Sequence, residues 1–171
     1  MDNPVIFVVL IVAVIVGAML LGGFVRRSVV RSGGRYGRRV AASRVDDALG
    51  ALGATLVVHA PEPMVREIVD EVIRHDPRRF SLLEHGAYGL RFVEEDDGIV
   101  RLAPDANGVR LQLESAREYL GAPKASGFWA DLRERVGEAA TSRGLTVSDG
   151  APLSYERREL DGGGVEWVWT R

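Results

Sequence analysis

Three histidines, one acidic run and a tryptophan-bearing strand hold most of the side chains that could do chemistry. His59, His75 and His85 lack the H-x-x-x-H or H-E-x-x-H spacing that sets two metal ligands on one helical face. A metal site would therefore need tertiary convergence. His59 and His75 read as solvated caps at a strand end and a helix end, His75 being favoured there by the helix dipole. His85 stands beside Glu84 in a loop with no adjacent nucleophile to partner it in acid/base work.

The run Glu94-Glu95-Asp96-Asp97 offers carboxylate oxygens suited to calcium or magnesium. It has neither the ligand spacing nor the closing glutamate of an EF-hand, so it reads as a solvated hairpin turn guarding a sheet edge. Asp105-Ala106-Asn107-Gly108 is explained by an Asn-Gly turn. The glycines at 162–164 lack the Lys-Ser/Thr of a phosphate loop. With no cysteine, thiol catalysis, disulfides and cysteine-held metals are excluded. No catalytic residue, cofactor or metal ligand is assigned, and the chemistry left is that of binding.

Two sets of residues could bind. Val165, Trp167 and Trp169 recur at alternate positions and share one strand face. They either pack as core beneath Trp129 or, with Trp129 and Tyr155, wall a small-molecule or lipid pocket between sheet and helix. Arg91, Arg101 and Arg110 are expected to align on the sheet face away from the helices, where they either bind an anionic partner or pair with Glu94, Gln112 and Glu114 across strands.

The elements that must place these residues follow from periodicity. Thr55–His59 is a β-type run, and Pro61-Glu62-Pro63 opens a helix whose apolar face is Met64, Val65, Ile68, Val69, Val72 and Ile73. Tyr88, Leu90 and Phe92 alternate in a strand, Asp97-Gly98 turns into Ile99–Ala103, and Asn107-Gly108 turns into a strand with Val109, Leu111 and Leu113 on one face. A helix over about 125–143 has Ser126 as N-cap, Trp129, Leu132, Val136 and Ala139 or Ala140 inward, and Gly144 as its stop. A hairpin through 153–169 ends the chain. The order β-α-β-β-β-α-β-β predicts an α+β domain, a mainly antiparallel sheet with two covering helices, built as a ferredoxin-like βαββαβ core with added strands. The alternative is a helix-grip arrangement.

Upstream, residues 5–25 carry no charge, and 15 of these 21 are Leu, Ile, Val or Phe. At ~1.5 Å per residue they match a hydrocarbon core of ~30 Å. Asn3 and Pro4 suit a helix start, while a cleaved signal would need a basic leader and a small-x-small site that these flanks do not supply. Ala13-x-x-x-Gly17 and Ala18-x-x-x-Gly22 have the small-residue spacing of helix packing, although lipid-facing filler explains them equally well. Arg26, Arg27, Arg31, Arg35, Arg38 and Arg39, with Arg44 beyond, form a basic collar expected to clamp anionic lipid headgroups. By the positive-inside rule the layout is residues 1–4 outside, 5–25 transmembrane, 26–53 a basic juxtamembrane linker with a short helix, and 54–171 a cytoplasmic domain.

The chain has 22 basic and 24 acidic residues. Setting aside Asp2 and the seven arginines of the collar leaves 15 basic against 23 acidic in residues 45–171, a formal charge of −8. That charge argues against nucleic acid as the domain's partner. Lys124 is the single lysine outnumbered by arginines throughout, a coding bias typical of a bacterial source. The sequence therefore reads as a single-pass, inner-membrane-anchored adaptor or complex subunit with a protein partner; the alternative is a small-molecule or lipid-binding domain, as a binder or as an enzyme, with its pocket between sheet and helix.

Overall fold

The computed structural model describes residues 43–161 and 163–170. The apolar span 5–25 and Arg26, Arg27, Arg31, Arg35, Arg38 and Arg39 lie outside the described residues. No helix among the described residues is long and apolar enough to cross a membrane. The described part is α+β, with three helices and a sheet whose strand pairs are all antiparallel.

Helix α1 runs through residues 43–53 and ends with Leu52 fully buried. Strand β1 (Leu56–Val58) leads into helix α2 (Glu62–His75), where the predicted apolar stripe buries Val65, Ile68, Val69, Val72 and Ile73. Met64 departs from the expectation: it is 44% exposed, on the first turn and off the packed stripe. Strands β2 (Phe80–Leu82) and β3 (Tyr88–Leu90) form a short antiparallel pair around a 3-10 turn at Glu84–Gly86. Then come β4 (Gly98–Asp105) and the longest strand, β5 (Gly108–Tyr119). Because Asp105 pairs with Gly108, the turn residues are Ala106 and Asn107, one position before the predicted Asn-Gly corner.

Strand β6 (Ala122–Pro123) folds back on β5, and helix α3 (Ser126–Ser142) follows. Ser126 is the first helical residue and makes no capping bond; Ala125 occupies the cap position. Gly144, at φ +76°, stops the helix as expected. Strand β7 (Val147–Asp149) was not legible as a strand, while β8 (Tyr155–Glu159) and β9 (Val165–Trp169) are the predicted terminal hairpin.

The strand order is β2-β3-β4-β5-β1-β7, with β9 and then β8 joined to the far half of β5. Alternation divides the sheet. Leu56, Val58, Val100, Leu111 and Leu113 share one buried cluster with the inner stripes of α2 and with Trp129, Leu132, Val136 and Ala140 of α3. The residues between them, Val57, Arg101, Arg110 and Gln112, take the opposite face.

Candidate functional site

On the face opposite α2 and α3, register sets Arg101 across from Gln112 on β4 and β5. Arg110 stands opposite Ala103 on one side and Val57 on the other, and Val57 is opposite Ser148 on β7. Arg101 is held by Glu114, Nε donating at 2.6 Å. Gln112 is only 3% exposed, yet its Oε1 has no hydrogen-bond partner, and the buried Nε of Arg110 has none either. Arg91 is not with them. It follows the end of β3, two strands from β5, and its guanidinium binds Glu95 at 2.6 Å.

His59 closes one end of this face. Its Nδ1 lies 3.2 Å from the Asn107 carbonyl and its Nε2 3.0 Å from Ser148 Oγ. A carbonyl only accepts, so Nδ1 carries the proton of that bond, while the Ser148 hydroxyl facing Nε2 can either donate or accept. His59 is thus bonded on both sides at the end of β1, with both bonds exposed. It also lines an open cleft of about 460 Å³ with Pro61, Glu62, Pro104, Asn107 and Gly108. His75 donates from Nδ1 to the Glu71 carbonyl at 2.7 Å in the last turn of α2. The side chain of His85 lies outside what is described. No group of acidic and histidine side chains among the described residues could hold a metal ion.

The aromatic set is dispersed. Trp129 is fully buried, its Nε1–H donating to the Ala54 carbonyl at 2.9 Å, so it forms no part of any surface. Tyr155 donates its hydroxyl to the Leu113 carbonyl at 2.7 Å, with the Leu52 carbonyl 3.1 Å away, and burial raises its phenol well above the ordinary value. Trp169 is paired with Tyr155 across the β8–β9 hairpin. Trp167 donates to Glu118 Oε2 at 3.1 Å. The Glu118 carboxyl sits below the usual range, chiefly because the Arg157 guanidinium grips both its oxygens. Trp167 and Trp169 are half-buried on this outer hairpin and are not core beneath Trp129.

The acidic run is not a simple solvated turn either. Glu94 and Glu95 are exposed, but Asp97 is 1% exposed. Its Oδ2 accepts the Val93 and Glu94 N–H groups at 2.5 and 2.8 Å, and its Oδ1 accepts the Tyr119 hydroxyl. This carboxylate folds residues 91–97 into a loop and so ends β3 at Leu90. Phe92, expected on the strand's inner face, is consequently 45% exposed, its ring 5.4 Å from Tyr119 and 6.3 Å from Phe128.

Beside it lies a residue that the sequence reading missed. Leu120 and Gly121 are the two turn residues between Tyr119 and Ala122, both left-handed, at φ +54° and +79°. That is the geometry of a two-residue primed turn, in which Asn or Gly is usual first. Leu120 is 100% exposed, and Val93 is 60% exposed. Phe92, Val93, Tyr119, Leu120 and Phe128 thus form an apolar knob; a lone Gly121 after a strand was its only sequence signal. The chain matches no family model, no curated protein and no solved structure, so its chemistry has to be read from these residues.

Proposed function

We propose that this chain is a membrane-tethered, non-enzymatic interaction module, an adaptor or complex subunit that docks a protein partner through the apolar knob at Leu120. The apolar span 5–25 is the tether, the collar from Arg26 to Arg39 clamps anionic headgroups, and the folded domain stands on the cytoplasmic side of a bacterial inner membrane. The domain is a ferredoxin-like βαββαβ core formed by β1, α2, β4, β5, α3 and β7. The order β4-β5-β1-β7 supports this over a helix-grip, since two helices share one sheet face. Strands β2, β3, β6, β8 and β9 are additions. Trp129 fills its site completely, which counts against a ligand cavity there.

The observation that carries the docking reading is Leu120. A left-handed conformation costs an L-residue other than glycine roughly 1–2 kcal/mol, and this leucine, wholly exposed, recovers nothing by burial within the fold. Backbone strain kept without a structural return clusters at functional positions, and an exposed apolar patch that includes aromatic rings marks an interaction surface. Replacing Leu120 by Asn is expected to raise the melting temperature by about 2–6 °C, because Asn tolerates this turn, while abolishing partner capture. A photo-reactive residue at 120, placed in the full chain in native membranes, is expected to yield a discrete protein adduct. The same residue at Glu159, on the charged edge strand β8, is expected to yield none. Equal labelling from both positions, or adducts with lipid alone, would sink the docking reading.

A further inference from the structure

The charges bordering the knob are of two kinds. Arg91, Arg117 and Arg79 are held by Glu95, Asp96 and Asp131 at 2.6, 2.7 and 2.8 Å, and the Arg79 guanidinium also lies 5.1 Å from the Phe128 ring. Glu94 follows Val93 in the loop, and Lys124 lies between Leu120 and Phe128 in the chain. Both are exposed, and among the described residues neither makes an ion pair. The rim thus keeps one free anion and one free cation on two separate segments, the 91–97 loop and the junction of β6 with α3.

That balance decides which partner the patch suits. A domain of formal charge −8 attracts a basic protein through its overall field. At the knob itself, however, the internal pairs cancel and the two free charges oppose each other, so a basic surface gains little there. A two-fold contact between identical patches has a different requirement: each patch must complement its own copy, residue i meeting j while j meets i. An apolar centre flanked by one free charge of each sign meets it. The net charge of two copies does not forbid the approach, because repulsion between exposed charges is screened beyond about 8 Å at physiological salt. The exposed rim pairs contribute about 0–1 kcal/mol each and so set the register, leaving the apolar centre to supply affinity.

We propose that, on the docking reading above, the partner at the knob is a second copy of this chain, paired about a two-fold axis at Leu120 with Glu94 of each copy facing Lys124 of the other. The knob supplies only a few of the about 20–30 residues that each side of a standard interface contributes. Pairing is accordingly weak between free domains and needs both copies confined to one surface, which the span 5–25 provides on the same reading.

The test exploits a chain without cysteine, in which an introduced thiol reports one contact. Full-length Glu94→Cys and Lys124→Cys chains, carrying different tags, are mixed in phosphatidylcholine–phosphatidylglycerol vesicles and oxidised with copper phenanthroline. The mixed disulfide is expected to form at least about tenfold faster than either like pair. Adding Leu120→Asn, which the turn tolerates, should reduce it to the rate of a Glu159→Cys control. Like pairs forming as fast as the mixed one, or a mixed disulfide indifferent to Leu120→Asn, would overturn self-pairing. The photo-reactive residue at 120 separates the two readings. An adduct of two copies of this chain supports both, an adduct with a different protein and no mixed disulfide leaves docking standing and overturns self-pairing, and no protein adduct of any kind overturns both.

Discussion

Replacing Trp129 by alanine is expected to leave the domain largely unfolded or molten at ordinary temperature. The indole is completely buried in the cluster shared by α2, α3 and the sheet. Truncating a buried Trp typically costs about 3–5 kcal/mol through lost transfer energy and the cavity left behind. Here it also strips the Ala54 carbonyl of its 2.9 Å donor, adding roughly 1 kcal/mol. That carbonyl belongs to the turn between α1 and β1, so the loss loosens the entry to the central strands as well as the layer between sheet and helix. Against a total stability on the order of 5–15 kcal/mol, this one change removes about a quarter at the least and the whole at the most. Trp129→Phe should retain most of the volume and lose the hydrogen bond, falling between the two. Urea unfolding followed by far- and near-UV circular dichroism would check the order. A Trp129→Ala midpoint close to wild type would mean that the α3 layer packs otherwise than described.

What the sequence disclosed depended on how local each determinant was. The stripe of α2 was legible because five residues at helical spacing all face one layer, and a 3.6-residue period is a property of neighbours. The β8–β9 hairpin was legible for the same reason, its two arms being joined by one glycine-rich turn. Strand β7 was not, since Val147–Asp149 becomes a strand only by pairing with β1, some 90 residues earlier. Phe92 misled because alternation from Tyr88 predicts a strand that a distant hydroxyl and a buried carboxylate terminate. The arginines show the same divide. Period two places Arg101 and Arg110 on one face of the sheet, but the path of the Arg110 stem over Val57 depends on Gly150, forty residues later. The apolar knob is assembled from three segments brought together by the fold, and no window of sequence contains it.

Asp97 supports the second of the large expected effects. Asp97→Ala should destabilise the domain by roughly 2 kcal/mol, because it removes a buried carboxylate that two backbone N–H groups and the Tyr119 hydroxyl, all partly buried, use as their acceptor. The damage is also directed. The same three bonds fix the Phe92–Val93 segment against Tyr119, the residue before Leu120, so the variant should lose partner capture even at temperatures where the rest of the domain stays folded. Acid should mimic it. Burial pushes the Asp97 carboxyl up, but the Tyr119 hydroxyl, the Val93 and Glu94 N–H groups and the Arg117 charge together outweigh that, and its value in the folded protein lies below the usual carboxylate range. The unfolded chain, with a carboxyl near ~3.9, therefore takes up the proton first. The stabilisation is complete above that value and is lost as pH falls through the lower folded one. From neutral pH down to about 5 this group contributes no slope. Below about 4 the urea midpoint of the wild type should fall more steeply than that of Asp97→Ala, which has already lost the interaction. Parallel acid slopes in the two proteins would show that the carboxylate does not hold the loop, and would remove the physical basis for the knob's fixed geometry.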